Sequence, residues 1–459
     1  MTSFSQKHTK ITNLYLFGKG MEDLRPRLRK QARGKRAVLV IPSLATEFTE
    51  EEHRPVFKNI LKQLSGVSYL YKIIFGLDGA TDEEAHDLAG LIRSHGIKNY
   101  IIQHNKGAAF TELYRKLNDA GFALEQPGKG KNMFMSFGVA QSLGAQCIGV
   151  IDADIKTFHR QQLDRMFYPV IALDYDFAKA FYLRIGNGHM YGRVKRLLLD
   201  PLLLALKRKF SDSGEDKFLR LIDYLLAFNY QLSGEVVFDT SLLKRMHFAT
   251  NWGVEIFTLI EVYRKANNVC QVQFSHEPFD HKHQPVSPGD RERGLYKMAT
   301  DIVTTIFSSL VIEEGLEISD YFIQDLTITY LNVATELVKK YADNSNFASL
   351  IYDRKAEEAM VRGIFKDAIL DAGDDLTSPY RLTERFLRLI VSDKRFHKYI
   401  DAGLDEDLLA YEQTYRKQLF EVPQTVSWEQ IIMKLPGILE EIKTVVHREQ
   451  THYAAPHHP

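Results

Sequence analysis

The run Cys147-Ile148-Gly149-Val150-Ile151 carries no charge and leads straight into Asp152-Ala153-Asp154. Such a run reads as a buried strand whose C-terminal end stops at an acidic pair. In extended backbone, residues i and i+2 point to the same side, so both carboxylates can face one ligand. Two hard oxygen donors at a strand end suit Mg2+ or Mn2+, and such an ion usually holds phosphate or diphosphate oxygens. Taken alone, the same residues are as readily a strand turning into solvent, because Asp is common in turns. The order of the surrounding elements decides.

Strands and helices alternate on either side of this run. Arg36 to Leu44 reads as a strand ending at Pro42, Phe57 to Leu64 as a helix, and Tyr69 to Leu77 as a strand closed by Asp78-Gly79. Glu83 to Ser94 is helical, Asn99 to Gln103 a strand with Asn105-Lys106-Gly107 as its loop, and Leu113 to Ala120 helical. Pro127 to Asn132 reads as a flexible loop opening a helix from Met133 to Leu143. This alternation predicts an α/β fold with a mostly parallel sheet covered on both faces. Ligands then bind beyond the C-terminal strand ends, where Pro42, Asp78, Asn105 and Asp152 fall.

Further along, Phe177 to Leu183, Val236 to Phe238 and Val269 to Phe274 read as strands, with helices at Val194 to Lys209 and from Trp252 through Arg264. From about residue 297 the spacing is helical, at Tyr321 to Tyr341, Leu382 to Val391, Leu404 to Leu419 and Trp428 to Val446. The expected layout is an N-terminal arm over 1–35, an α/β domain over 36–314, a C-terminal helical region over 315–450 and a disordered tail over 451–459. Within the α/β domain, 36–155 and 156–314 form two halves.

Lys+Arg and Asp+Glu both number 59, which argues against nucleic acid or an anionic membrane as the main partner. Cys147 and Cys270 both sit in apolar runs, as buried thiols in a reducing cytoplasm do. The N-terminus lacks the apolar core of a signal peptide, and no run approaches the length of a membrane span. A soluble, cytoplasmic protein is expected.

Several residues could carry chemistry. Gly128-Lys129-Gly130-Lys131 lacks the spacing and the Ser/Thr of a phosphate-binding P-loop, but its position before the acidic strand lets it neutralise a diphosphate. Asp280-His281-Lys282-His283 follows a strand, so a His there could complete an oxygen-rich metal site with Asp154; by itself it reads as an exposed polar loop. Glu235 and Glu255 each follow a Gly in apolar surroundings and need partners, since an unpaired buried charge is expensive. Each could instead cap a helix or pair with an Arg.

The ordered set is more specific than any piece. Gly128-Lys129-Gly130, Asp152-Ala153-Asp154, Lys179-Ala180-Phe181-Tyr182, Gly192-Arg193-Val194, Leu232-Ser233-Gly234-Glu235, Trp252-Gly253-Val254-Glu255-Ile256 and His281-Lys282-His283-Gln284-Pro285 follow one layout. Over roughly residues 36 to 310 the chain resembles the GT-A glycosyltransferases, and more narrowly the retaining glucosyl-3-phosphoglycerate synthases. The resemblance implies a Rossmann-like GT-A fold with a donor half and an acceptor half. It implies a nucleotide diphosphate sugar (UDP- or GDP-hexose) as donor, a small phosphorylated acceptor such as 3-phosphoglycerate, and Mg2+ or Mn2+.

By the same resemblance Pro42, Ser43, Leu44, Glu47 and Asp78 hold the nucleoside, Lys129 and Asp152 the donor, and Asp154 with His281 the ion. Arg184, Gly192, Arg193, Val194 and His283 would grip the acceptor, while Glu255 would orient the acceptor or the transferred sugar. The product would be a precursor of a compatible solute, glucosylglycerate, or a polysaccharide primer. The helical region after about residue 315 lies outside the resemblance, and a dimerisation layer and a lid stay open for it, with a homodimer as one expectation.

The sequence departs from the family in three places. Ala45-Thr46-Glu47 stands for Asn-Glu-Glu, Asn187 to Arg193 is a bulkier and more basic loop, and His283 replaces Asn. Three other readings compete. A haloacid-dehalogenase phosphatase wants Thr or Val where Lys156 stands, and a nucleotidyltransferase wants a Gly-rich, Arg-bearing signature that Ser43 to Glu47 lacks. A non-catalytic nucleotide-sugar binder is countered by the intact Asp152, Asp154, Glu255 and His281.

Overall fold

The structure, a computed structural model, describes residues 6, 8–16, 24–122, 124, 128–275, 277–281, 294–312, 314–377 and 425–454. His283 and the helices expected at 382–391 and 404–419 lie outside the described residues.

An eight-stranded sheet runs in the order Ile11–Leu14, Val269–Gln273, Phe177–Phe181, Val236–Asp239, Cys147–Val150, Ala37–Leu44, Leu70–Asp78, Tyr100–His104. All its neighbours pair in parallel except Val236–Asp239, which is antiparallel to both flanking strands. The expected α/β fold with a mostly parallel sheet is therefore what the chain forms. Alternate residues of Ala37–Leu44 feed two cores, as a strand's period of two dictates. Val38 and Val40 pack with Phe134 and Phe137, while Leu39 and Ile41 pack with Phe57, Ile60 and Phe167. Each such side chain, fully buried, contributes about 1.5–3 kcal/mol.

From Ala37–Leu44 the chain first builds outward through Leu70–Asp78 to Tyr100–His104, then returns to place Cys147–Val150 on the opposite side. That reversal is a topological switch point, where a crevice opens past the strand ends. The register sets Val40 opposite Val150 and Leu44 opposite Asp78, so the three strand ends line one rim.

Four features differ from expectation. Ile11–Leu14 is not a peripheral arm but an edge strand of the main sheet, paired with Val269–Gln273; four residues are too few to show a period. The last helix, Ile438–Ala454, continues past residue 451, where a disordered tail was expected. Gly294–Ile312 is long and apolar enough to cross a membrane, yet 72% of that window is buried inside the protein. It is buried all round over residues 301–310 because it runs through the core, with Ala299, Val303 and Phe307 at 0% exposure and the hydroxyls of Thr304, Thr305 and Ser309 bonded to carbonyls one turn back. The helix expected at Val194 opens with a π-helical turn, Val194–Leu199, before the α-helix Asp200–Ser213.

The C-terminal region does not stay apart. Thr425–Ser427 pairs antiparallel with His247–Ala249, and Ile438–Ala454 packs on the helix Lys129–Ser142 and the strand Tyr100–His104. Trp428, 0% exposed, stacks on Phe134 at 4.8 Å and donates its indole N–H to the Phe134 carbonyl at 2.8 Å. A Cβ on Gly138 would meet its ring at 2.0 Å, so only glycine admits the indole there.

Candidate active site

A cavity of about 450 Å3 opens at the switch point. Pro42, Ser43, Leu44, Glu47 and Asp78 line it from the first two strand ends, and Asp152 and Asp154 from the third. Lys129, Glu255 and His281 join them, and Arg184, Gly192, Arg193 and Val194 close the opposite side. Every described residue of the expected site thus meets in one cavity. Asn105, also expected at a strand end, lies off the lining. It is buried, and its side-chain oxygen accepts from Gln103 Nε2 at 2.8 Å and Tyr114 Oη at 3.0 Å.

Lys129 is not on a flexible loop. It opens the helix Lys129–Ser142, four residues earlier than the apolar spacing suggests. With two glycines in four residues, Gly128 to Lys131 reads locally as loop, but tertiary contact fixes it: Lys131 N–H donates to the Thr250 carbonyl at 3.0 Å, and a Cβ on Gly130 would meet the Ala249 carbonyl at 2.1 Å. The Lys129 ammonium sits 2.6 Å from Asp152 Oδ1 and 2.8 Å from Glu255 Oε1. Burial disfavours its charge, but the two carboxylates outweigh burial and hold its pKa above the ordinary lysine value. Glu255 stands in the first turn of Val254–Lys265, so it meets its cation there and not an Arg. Gly234 lies directly behind Asp152; a Cβ would come within 2.5 Å of the carboxylate.

Asp154 Oδ2 lies 3.6 Å from His281 Nδ1, and an antiparallel bridge between Ile155 and His281 holds the two segments together. Burial would raise the Asp154 pKa, but His281, Lys129 and Arg184 hold it below the ordinary carboxylate value. Asp154 Oδ1 is buried and, among the described residues, meets no hydrogen-bond partner. An ionised carboxylate with an orphaned oxygen beside an imidazole fits a divalent cation that takes its remaining ligands from a diphosphate.

Beneath the acids, Glu235 accepts from Tyr182 Oη at 2.8 Å, and Lys179 donates to the Ser233 carbonyl at 2.7 Å. Burial, aided by Asp152, pushes the Glu235 carboxyl up to about 7; burial brings Lys179 down to about 8. Glu235 thus has the partner that a buried carboxylate needs; it is a tyrosine hydroxyl, and neither a helix start nor an Arg.

Across the cavity the walls are cationic. Arg184, Arg193 and Lys195 all line it, and Lys195 is also 2.5 Å from Asp200. The segment carrying Gly192 and Arg193 is braced from below by Arg196, which donates to the carbonyls of Met190 at 3.1 Å and Tyr191 at 2.9 Å. The same guanidinium forks onto Glu357 at 2.6 and 2.9 Å, and Tyr352 also bonds that carboxylate. Ile351 N–H donates to the Gly188 carbonyl at 2.7 Å. Tyr230 also lines the cavity, beside Gly192, and neither it nor Lys195 is among the residues expected from sequence. The clustered cations at 193 to 196 were a usable signal for Lys195; a single tyrosine gives none for Tyr230.

The chain is similar to several proteins named glucosyl-3-phosphoglycerate synthase. It is 35% identical over 368 residues to a glucosyl-3-phosphoglycerate synthase of Persephonella marina, covering 79% of this chain and 87% of the relative. It is 29% identical over 372 residues to one of Methanococcoides burtonii, covering 80% and 88%. Among solved structures, that of glucosyl-3-phosphoglycerate synthase from Mycobacterium tuberculosis with Mn2+, uridine diphosphate and glucosyl-3-phosphoglycerate is 20% identical, with a TM-score of 0.47 over 65% of this chain and 87% of that one. No protein-family model matches the chain.

Proposed function

The chain belongs to the glucosyl-3-phosphoglycerate synthase family, and from that premise we propose that it transfers glucose from UDP- or GDP-glucose to 3-phosphoglycerate with retention at the anomeric carbon. The observation that carries this reading is the two-sided cavity: an acid pair, a lysine and a histidine at the strand ends face a cationic wall. Pro42, Ser43, Leu44, Glu47 and Asp78 receive the nucleoside where Leu44 and Asp78 meet in register. Lys129, tied to Asp152 and Glu255, sets the donor's sugar and diphosphate between them.

Asp154 and His281 would hold Mg2+ or Mn2+, which when bound neutralises charge on the leaving diphosphate. Arg184 and Arg193 give charge-assisted hydrogen bonds to the acceptor's phosphate and carboxylate. The one free hydroxyl of 3-phosphoglycerate, at C2, is thereby brought to the anomeric carbon. The bond from that carbon to the diphosphate breaks, the C2 oxygen bonds to the same face, and its proton passes to the departing diphosphate oxygen. Glu255 orients sugar hydroxyls in this scheme, and no enzyme nucleophile is assigned.

Two finer expectations belong to the proposal. Free, buried Cys147 and Cys270 support a cytoplasmic location. A homodimer would cover apolar surface on the helix Asp320–Phe347, where Tyr321, Ile328 and Phe347 are 78%, 60% and 90% exposed. The deciding experiment is a matrix of UDP-glucose, GDP-glucose and GDP-mannose against 3-phosphoglycerate, glycerol 3-phosphate and glycerate, reading released nucleotide and product mass with Mg2+. Glucosyl-3-phosphoglycerate is the expected product. Turnover only with another acceptor would assign a new specificity to the basic 187–193 loop, and donor binding without any turnover would leave a non-catalytic binder.

A further inference from the structure

Outside the cavity, Asp82, His86 and His452 bring one carboxylate and two imidazoles together, with their ligand atoms all within 4.8 Å of one another. Asp82 and His86 lie one turn apart on the helix Asp82–Ser94, and i,i+4 spacing puts them on one face. His452 comes from the last helix, Ile438–Ala454, and its Nε2 is 2.9 Å from Asp82 Oδ2. The rings of His86 and His452 stand edge to face with centroids 4.8 Å apart.

We propose that this cluster is a transition-metal site, best matched to Zn2+, that staples the last helix of the chain onto the helix Asp82–Ser94. The donor set is two imidazole nitrogens and one carboxylate oxygen, with a fourth position left to water, which suits tetrahedral Zn2+. Imidazole pairs of this kind disfavour Mg2+, so the site and the catalytic cation do not compete for one metal. Two of the ligands are already oriented by groups behind them. His86 Nδ1 lies 3.2 Å from the Asp82 carbonyl, which turns Nε2 outward as a donor atom. Asp82 Oδ1 accepts from Tyr453 Oη at 3.1 Å, leaving Oδ2 to the metal.

Metal–ligand bonds of about 2.0–2.2 Å place tetrahedral donors about 3.3 Å apart. Asp82 and His452 are exposed, so closing that gap asks for side-chain rotation and not for movement of either helix. The proposal stands independently of glucosyl transfer, since none of these residues lines the cavity.

The test is a Zn2+ titration by calorimetry in the Asp154→Ala background, which removes the catalytic ligand. It is run on the full chain and on a chain ending at Ala454, where His457 and His458 cannot bind. The expected result is one equivalent of Zn2+ bound in both, weakened at least tenfold by His86→Ala and by His452→Gln. Tyr453→Phe, which removes only an orienting hydroxyl, should weaken it roughly tenfold. Co2+ should give a visible tetrahedral absorption band that both His variants abolish, and Zn2+ should raise Tm only where both histidines are present. Circular dichroism checks that each variant is folded, and His452→Gln, on an exposed face, decides if His86→Ala is not. Unchanged Zn2+ affinity in His452→Gln, or no stoichiometric Zn2+ on the chain ending at Ala454, would overturn the site.

Discussion

The two sides of the cavity are built by different means. On one side Leu44, Asp78, Asp152 and Asp154 sit at or just past the ends of adjacent parallel strands, so the sheet register alone fixes their spacing. On the other side Gly192 and Arg193 sit on a segment with little regular structure of its own. Its shape is imposed by Arg196, whose partner Glu357 is 161 residues away in the C-terminal helices. The proposed nucleotide side is therefore held by the sheet itself, while the proposed acceptor side depends on a buried ion pair that a single substitution can break. Difference in construction implies difference in tolerance: loop and brace can change together without disturbing the sheet.

The largest test of that contrast is Asp154→Ala. It should cut kcat by about a hundredfold or more, abolish the response to Mg2+ and leave far-UV circular dichroism unchanged. An Asp154→Ala enzyme that still responds to Mg2+ would sink the assignment. Next, Arg193→Ala should raise the KM for 3-phosphoglycerate about ten- to a hundredfold, the loss of a charge-assisted contact of about 1.5–3 kcal/mol, with the donor KM unchanged. Equal rises in both constants would dissolve the two-sided picture.

Glu357→Gln tests the brace itself. Its side chain and that of Arg196 are only 10% and 7% exposed, and breaking a buried pair costs about 3 kcal/mol. Tm should fall and the acceptor KM should rise several-fold, with Arg196→Lys unable to substitute because lysine lacks the planar fork. A lower Tm with both KM values intact would show the pair to be structural only.

The smallest effect is expected at Glu261, on the helix that presents Glu255. Burial would raise its pKa, but the His247 ring at 3.3 Å, the His247 backbone N–H at 2.6 Å and Lys265 at 2.5 Å hold it below the ordinary 4.5. A folded pKa below the unfolded one gives stability that is present above 4.5 and lost as pH falls through the folded value. Glu261→Gln should lower Tm modestly at pH 7 and flatten its decline between pH 5 and 3. A parallel decline in both proteins would contradict the sign of that shift.

What the sequence revealed follows the same division. Asp152, Asp154 and Asp78 were legible because each closes an apolar run within a regular strand–helix alternation, which puts it at a strand end. His281 and Glu255 became legible only through order along the chain. Lys129 was placed in the right cavity but in the wrong element: Gly128-Lys129-Gly130-Lys131 is loop by composition, and only the approach of the Ala249 and Thr250 backbones makes it a helix start. The pairing of Arg196 with Glu357 has no local signature, and neither does the edge strand Ile11–Leu14. Short elements and distant ion pairs are decided by the assembled fold, which no window of sequence contains.

Trp428 gives the protein a clock. The indole fills the space beside Gly138, yet about 290 residues separate the two along the chain, from 138 to 428. At ~5–20 residues per second of synthesis, the helix Lys129–Ser142 waits roughly 15–60 s for the ring that stacks on Phe134, and longer for the helix Ile438–Ala454 that also packs on it. The core around Phe134 and Gly138, begun early, closes late, and a chain that stops short of residue 428 lacks the ring that fills the space beside Gly138.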